Sequence, residues 1–330
     1  MIGPAAVRRV AAETGFREEA VEKVLYLTAI LGRLLMHPDL QDGWVLKGGT
    51  AINLFHLDVP RLSVDIDLNY IGQADLKAMQ VARPGFERGL EACCEREGCQ
   101  VRRAPEEHAG GKYRLRYIGG VGAAGSLEVD VNYVQRIPLL GVERRRPRLL
   151  FGGEAPEVPV LTLEELAAGK CAALLTRAAP RDAFDAWKLL EIAPDLLARP
   201  GLRLAFAVQA GSSREDLRAQ RPDTSPVSAK AVREELLPLL RTEARPMGGD
   251  PDRLAAQLTQ VRQTVASTLF AWRKNEREFL DRLTENGEVV PDLLTDDPAL
   301  RKRVAAQPML RWKALNVRRH RGLPQGPEDV

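Results

Sequence analysis

The chain has 330 residues, 45% of them hydrophobic, with 48 Lys and Arg against 45 Asp and Glu and a formal net charge of +3. That length suggests two domains and that composition suffices for a packed core. No apolar run approaches the roughly 20 residues of a membrane span, and a charge this near balance does not by itself argue for a nucleic-acid partner.

The start, Met1 to Val10, has two arginines but no apolar signal core, so a cytoplasmic location with no membrane partner is expected. Arg17 to Met36 has Val21, Val24, Leu25, Ala29 and Leu35 at helical spacing, with Pro38 just beyond, and predicts an amphipathic helix. The apolar stretch Trp44, Val45, Leu46 then meets Lys47-Gly48-Gly49-Thr50, ahead of a predicted helix from Ala51 to Leu57. A glycine turn before a helix lets backbone N–H groups approach a phosphate. In the run from Arg61 to Tyr70, Val64, Ile66 and Leu68 alternate with Asp65 and Asp67. That pattern predicts a strand with one apolar and one acidic face, its two carboxylates side by side. Like charges so close repel, and a divalent metal is the usual reason to keep them.

Asp75 to Glu97 reads as helical, interrupted near Pro84-Gly85. The adjacent Cys93 and Cys94 are ordinary helix residues, since the four cysteines, with Cys99 and Cys171, lack zinc-ligand spacing. Val101 to Arg103 and Tyr113 to Ile118 predict strands separated by a polar loop around Gly110-Gly111, and Gly119 to Gly125 a hairpin turn. Leu127 to Tyr133 alternates again, with Glu128, Asp130 and Asn132 on its polar side, so Asp130 offers a third carboxylate. Pro138 to Pro159 is rich in Pro, Gly and Arg and marks a boundary between domains 1–155 and 156–330.

The second half is mostly helical in pattern. Thr162-Leu163-Glu164-Glu165 has the form of a capping box opening a helix to about Ala178, stopped by Pro180. Its apolar stripe contains Lys170, with Arg177 two turns on; a lysine there either meets an anion or forms a structural salt bridge. Asp182 is expected to cap the next helix, and Asp185 lies on the same face, able to orient Lys170, Arg181 or a substrate hydroxyl. Gly211 to Ser228 predicts an exposed loop, and Ala229 to Leu240 and Pro251 to Thr284 two more helices. Asp297 to His320 predicts one or two basic helices; no acidic residue lies between Asp297 and Glu328. That stretch, with Arg318, Arg319 and Arg321, and the cluster Arg144-Arg145-Arg146-Pro147-Arg148 can follow a phosphate backbone or form a solvated face. His37, His56, His108 and His320 are scattered and read as structural or surface residues.

Leu46-Lys47-Gly48-Gly49-Thr50-Ala51, Arg61-x-Ser63-x-Asp65-Ile66-Asp67, Lys170 with Arg177, and Arg181-Asp182-x-x-Asp185 together resemble the AbiEii/AbiGii family of nucleotidyltransferase-like toxins, which includes the MenT type. The glycine pair with Asp-x-Asp alone is the general signature of polymerase-β-like nucleotidyltransferases; the later blocks make the likeness specific. The resemblance implies an α+β fold, a polymerase-β-like core with a mixed sheet followed by a helical C-terminal domain. It implies a toxin countered by a cognate antitoxin in a toxin–antitoxin or phage-defence pair. In MenT-like members the reaction moves a nucleotide from an NTP, often a pyrimidine, to the 3′ acceptor end of tRNA and blocks translation. One departure is Gly49, where many nucleotidyltransferases carry serine; the phosphate contact then falls to backbone N–H groups or to the Thr50 or Ser63 hydroxyls.

The expected site follows. Asp65, Asp67 and Asp130 hold two Mg²⁺ ions. Lys47, Gly48, Gly49, Thr50 and Ser63 position the NTP phosphates, and Lys170 and Arg177 neutralise developing charge. Asp130 or Asp185 serves as base, and Arg318, Arg319 and Arg321 grip the RNA. Three rivals stand beside this expectation: transfer to a protein or small-molecule hydroxyl, a kinase-like phosphotransferase, and a nucleotide-binding regulatory protein.

Overall fold

The computed structural model describes residues 3–104, 110–120, 124–152, 155–219 and 225–324. The chain folds into two compact units. The first is Met1–Arg136, Val142–Leu161 and Ala229–Leu254; the second is Ile137–Gly141, Thr162–Ser228 and Ala255–Val330.

The first unit is built on a seven-stranded mixed sheet: β1 Trp44–Lys47, β2 Asp65–Tyr70, β3 Gln100–Ala104, β4 Gly110–Ile118, β5 Ala124–Asn132, β6 Val142–Arg145 and β7 Val158–Leu161, in the order β3-β4-β5-β2-β1-β7-β6. β2 runs parallel to β5 and β1 parallel to β7; the other neighbours are antiparallel. The strands form because their alternation matches the pleat. Leu127, Val129 and Val131 of β5 are buried, whereas Glu128, Asp130 and Asn132 are not. The same unit carries α1 (Pro4–Thr14), α2 (Glu18–Met36), α3 (Gly48–Ala51), which passes into a π-helical turn over Ile52–His56, and α4 (Leu76–Arg96).

Pro84 does not interrupt α4, contrary to the sequence expectation. Burial of Met79, Phe86, Leu90, Cys93 and Cys94 on its inner face outweighs the interior-proline cost of about 3 kcal/mol. Tyr70, Phe86 and Tyr133 form an aromatic cluster with ring centroids 5.1, 5.4 and 6.3 Å apart, joining α4 to the sheet. Gly110 and Gly111, expected in a loop, open β4 instead. His108 and residues 121–123 of the expected 119–125 turn lie outside the described residues.

The expected boundary after residue 155 falls too early, because Val158–Leu161 is a sheet strand paired with β1 and β6 and holds the chain in the first unit. The chain also returns to this unit. Ala229–Leu240, expected as one helix, is α8 (Ala229–Ala231), a π-helical turn Val232–Leu236 and a 3₁₀ turn Leu237–Leu239, since Pro238 supplies no N–H to continue it. Leu62 N–H donates to Leu239 O at 2.9 Å and Arg241 N–H to Pro60 O at 3.0 Å, bracing the segment just before β2.

The second unit is helical: α5 (Leu163–Arg177), α6 (Pro180–Ile192), α7 (Pro200–Ser212), most of α9 (Pro251–Leu269), α10 (Lys274–Asn286), α11 (Pro298–Ala305) and α12 (Pro308–Arg321). α7 absorbs Gly211, which was expected to begin a loop. The single helix expected from Pro251 to Thr284 breaks after Leu269, where Trp272 stacks on Phe206 at 5.3 Å and the Glu276 carboxylate accepts from Arg273 N–H at 2.9 Å to start α10. Among the described residues no helix is long and apolar enough to cross a membrane.

Candidate active site

β1 ends at Lys47, and the chain turns at once into α3. Gly48 sits at φ +74°, a left-handed conformation that favours glycine, and a Cβ there would run into the Asp67 carboxylate. A Cβ on Gly49 would come within 2.7 Å of Arg61 Nη2 and 2.8 Å of Ser63 Oγ. The glycine pair therefore does two things: it lets the backbone turn, and it clears room for a carboxylate, a guanidinium and a hydroxyl against the start of the helix. The Thr50 hydroxyl does not point at an open phosphate position as expected. Thr50 is fully buried and donates to Asp65 O at 2.6 Å, tying α3 to β2.

Strand register builds the charged centre. Lys47 of β1 lies opposite Asp67 of β2, Asp67 opposite Asp130 of β5, and Asp130 opposite Lys112 of β4. Register partners project to the same side of a sheet, so this is one row of lysine, aspartate, aspartate, lysine across four strands. Asp65 lies opposite Glu128, whose carboxylate takes Lys112 Nζ at 2.7 Å. The two flanking cations offset the repulsion between Asp67 and Asp130. Lys47 is held from its far side, Nζ donating to Gln135 Oε1 at 3.2 Å. Burial pushes its ammonium below the ordinary lysine value, and the fields of Asp67 and Asp130 oppose that. Gln135 is itself set by a turn in which Asn132 Oδ1 accepts from the N–H groups of Val134 and Gln135, both at 2.8 Å.

Lys112 and Gln135 were missed in the sequence. Lys112 follows two glycines that read as a loop, and Gln135 has no periodic signal; the alternation of Lys112 with Tyr113 and Leu115 was the available clue.

Among the described residues no three His, Cys, Asp or Glu side chains converge closely enough to hold a metal ion. The expected three-carboxylate cage is therefore not assembled. The donor set still suits Mg²⁺, which takes one or two carboxylates and completes its shell with water and substrate phosphate rather than with an all-protein cage. Asp67 and Asp130, register neighbours on one face, are such a pair.

In the second unit, Lys170 meets anions of its own chain. Its Nζ lies 2.8 Å from Asp182 Oδ1 and 2.9 Å from Asp185 Oδ2, with side chains 9%, 2% and 0% exposed. Arg177 adds a second cation at 2.5 and 3.1 Å from the Asp182 oxygens. Burial alone would raise the Asp182 carboxyl; the Arg177 guanidinium and Lys170 ammonium outweigh it and bring the group below its usual value. Asp182 is consequently not a cap: its side chain makes no cap bond, and it sits in the first turn of α6 after Pro180. Asp185 orients Lys170, one of the three partners the sequence allowed.

The capping box at Thr162 does not form either. The Thr162 hydroxyl is buried without a hydrogen-bond partner, and Glu165 turns away to accept from Leu139 and Leu140 N–H at 3.0 and 2.8 Å. The four cysteines are free and buried, and burial pushes the Cys99 and Cys171 thiols up to about 11 and about 12, which fits inert packing residues. His56 is pushed down to about 4 by burial and by Arg145, whose Nη1 lies 2.7 Å from Nδ1.

The basic clusters separate. Arg144, Arg145 and Arg146 face Asp42, Glu143 and Glu157 at 3.5, 3.2 and 3.7 Å, so that cluster carries its own counter-charges. Arg303 and Lys313 are engaged by the carbonyls of Leu139 and Ser213. Arg318, Arg319 and Arg321 fall in the last turn of α12, the latter two exposed.

Comparison with known proteins agrees with this architecture. The family model for the nucleotidyl transferase AbiEii toxin of type IV toxin–antitoxin systems matches residues 29–302. Among solved structures, MenT4, a nucleotidyltransferase toxin from Mycobacterium tuberculosis H37Rv, is similar with a TM-score of 0.55 at 20% identity, over 94% of this chain and 100% of that one. No curated protein matches the chain. The match over most of its length makes the chain a member of the AbiEii family, a nucleotidyltransferase toxin of the type IV toxin–antitoxin class.

Proposed function

We propose that this toxin transfers a nucleoside monophosphate from an NTP, a pyrimidine nucleotide foremost, to the 3′ acceptor end of tRNA with Mg²⁺, and thereby blocks translation. The observation that carries the reading is the register row of Asp67 and Asp130 between two lysines, set directly beside the Gly48-Gly49 helix start. Membership of a type IV family implies a cognate antitoxin.

In this reading Asp67 and Asp130, with Asp65 on the same face, hold Mg²⁺ brought in with the triphosphate; when bound, the ion neutralises phosphate charge and polarises the reacting phosphorus. Backbone N–H groups at Gly48 and Gly49 and the Ser63 hydroxyl bind the distal phosphates. Lys47, fixed by Gln135, supplies a positive charge that keeps the carboxylate face from repelling the triphosphate. The 3′-hydroxyl oxygen bonds to the α-phosphorus, the bond to pyrophosphate breaks, and the hydroxyl proton passes to a carboxylate. We assign that base to Asp130 over Asp185, because Asp130 is exposed and Asp185 is fully buried against Lys170. The charge-neutralising role implied for Lys170 and Arg177 belongs to the same proposal.

Incubation of the protein with total tRNA, Mg²⁺ and each α-labelled NTP tests it. Label in RNA with pyrophosphate release is the expected result. Label in protein or small molecules would move the acceptor, and release of nucleoside diphosphate would indicate a kinase.

A further inference from the structure

We propose that Trp312, on the solvent side of α12, is a stacking platform for an unpaired base at the single-stranded end of the RNA, with Arg319 beside it on the phosphates. This rests on the RNA-acceptor reading above.

The inner face of α12 is settled by packing. Leu310 and Ala314 are buried, and Gly287 lies so close that a Cβ on it would reach 2.7 Å from Arg318 Cγ. Lys313 Nζ is tied to Ser213 O at 2.7 Å. At about 100° per residue, Trp312 then points away from that face, and Arg319, seven residues on, lies above it two turns along. The indole is 57% exposed. The other tryptophans are treated differently by the fold: Trp44 is fully buried, Trp187 packs edge-on to Phe184 at 6.1 Å, and Trp272 stacks on Phe206. The exposed indole leaves a flat π-face open to a ligand.

The neighbouring charges choose the occupant. Arg319 shares the indole's side of the helix, whereas Arg318 and Arg321 lie round toward the Leu310 and Ala314 side and Arg311 donates to Ala305 O at 3.0 Å; no acidic residue occurs between Asp297 and Glu328. An exposed aromatic face with a cation two turns along the same side, in a stretch without acidic residues, suits a polyanion that also carries π-faces, which is single-stranded nucleic acid. A duplex keeps its bases stacked inside and offers the ring nothing, so the site favours an unpaired end over a helix.

The full-length protein is titrated into two labelled RNA hairpins, one with a short single-stranded 3′ end and one blunt, at fixed salt. Trp312→Leu and Trp312→Phe are measured beside the wild type, with melting curves as a check on folding. The wild type should prefer the single-stranded end. Trp312→Leu should bind that RNA about tenfold more weakly, with blunt-hairpin affinity unchanged, and Trp312→Phe should stay within about threefold of wild type. A Trp312→Leu protein that keeps the preference overturns the inference alone and leaves the indole for a protein partner. So does an equal loss on both RNAs, or a wild type without preference. A wild type that binds neither RNA overturns the acceptor reading as well.

Discussion

At the scale of single residues, the site depends on what is absent as much as on what is present. Gly48 has no side chain because the Asp67 carboxylate occupies that space, and its φ of +74° disfavours any other residue. Gly48→Ala should cost about 1–2 kcal/mol from the backbone conformation alone, read by urea unfolding, and should abolish transfer by displacing Asp67. Lys170 is the second test. Removing it leaves Asp182 to Arg177 alone and takes the ammonium from the buried Asp185, and breaking a buried pair of this kind costs about 3–5 kcal/mol. Lys170→Ala should therefore lower the melting temperature whatever its role in the reaction. If a variant assayed well below its melting point still transfers nucleotide at the wild-type rate, Lys170 is structural alone. The Asp182 carboxyl lies below its ordinary value in the fold, so its stabilising share is present above about pH 5 and is lost as the pH falls through the depressed folded value. Thermal unfolding should show that loss as the pH falls below about 5, diminished in Arg177→Gln.

At the scale of elements, local sequence signals yielded wherever a stronger partner stood nearby. Thr162 and Glu165 have the spacing of a capping box, yet two backbone N–H groups at Leu139 and Leu140 claim the glutamate. Thr162→Val should then leave the melting temperature nearly unchanged, where a true cap would cost about 1 kcal/mol. Glu165→Ala should lower it clearly, since the Leu139 and Leu140 amides lose their acceptor; the reverse order of effects would restore the capping box. Pro84 teaches the same lesson in the other direction, because packing of α4 carries the helix through it. The acidic-faced strands were legible because alternation is a property of the sequence itself. The register that sets Asp67 against Asp130 and Lys47 was not, since it depends on pairings between distant segments. Lys112 and Gln135 stayed hidden for that reason.

At the scale of the whole chain, the mixed sheet and the helical second half were readable from the succession of periodicities and from the family likeness. The division between units was not. β7 belongs to the sheet through its pairing with β1, and Ala229–Leu254 returns to brace the segment before β2, a long-range choice with no local mark. Charge distribution was legible in sign but not in availability. Arg144, Arg145 and Arg146 are offset by Asp42, Glu143 and Glu157, whereas Arg319 and Arg321 in the last turn of α12 are exposed. Changing Arg318, Arg319 and Arg321 to Gln should weaken RNA binding and flatten its dependence on salt by about 2 units of log–log slope, at roughly 0.7 per phosphate contact on a single strand. NTP binding should not change. An unaltered slope would make that turn a solvated end and nothing more.

The central claim is that the Asp67-centred row transfers nucleotide, and one measurement bears on it most directly. Wild type and Asp67→Asn, matched in melting temperature, are compared for incorporation of α-labelled NTP into tRNA with Mg²⁺. The account predicts labelled RNA from the wild type and a loss of at least about a hundredfold in the variant. Labelling by Asp67→Asn at the wild-type rate would contradict it.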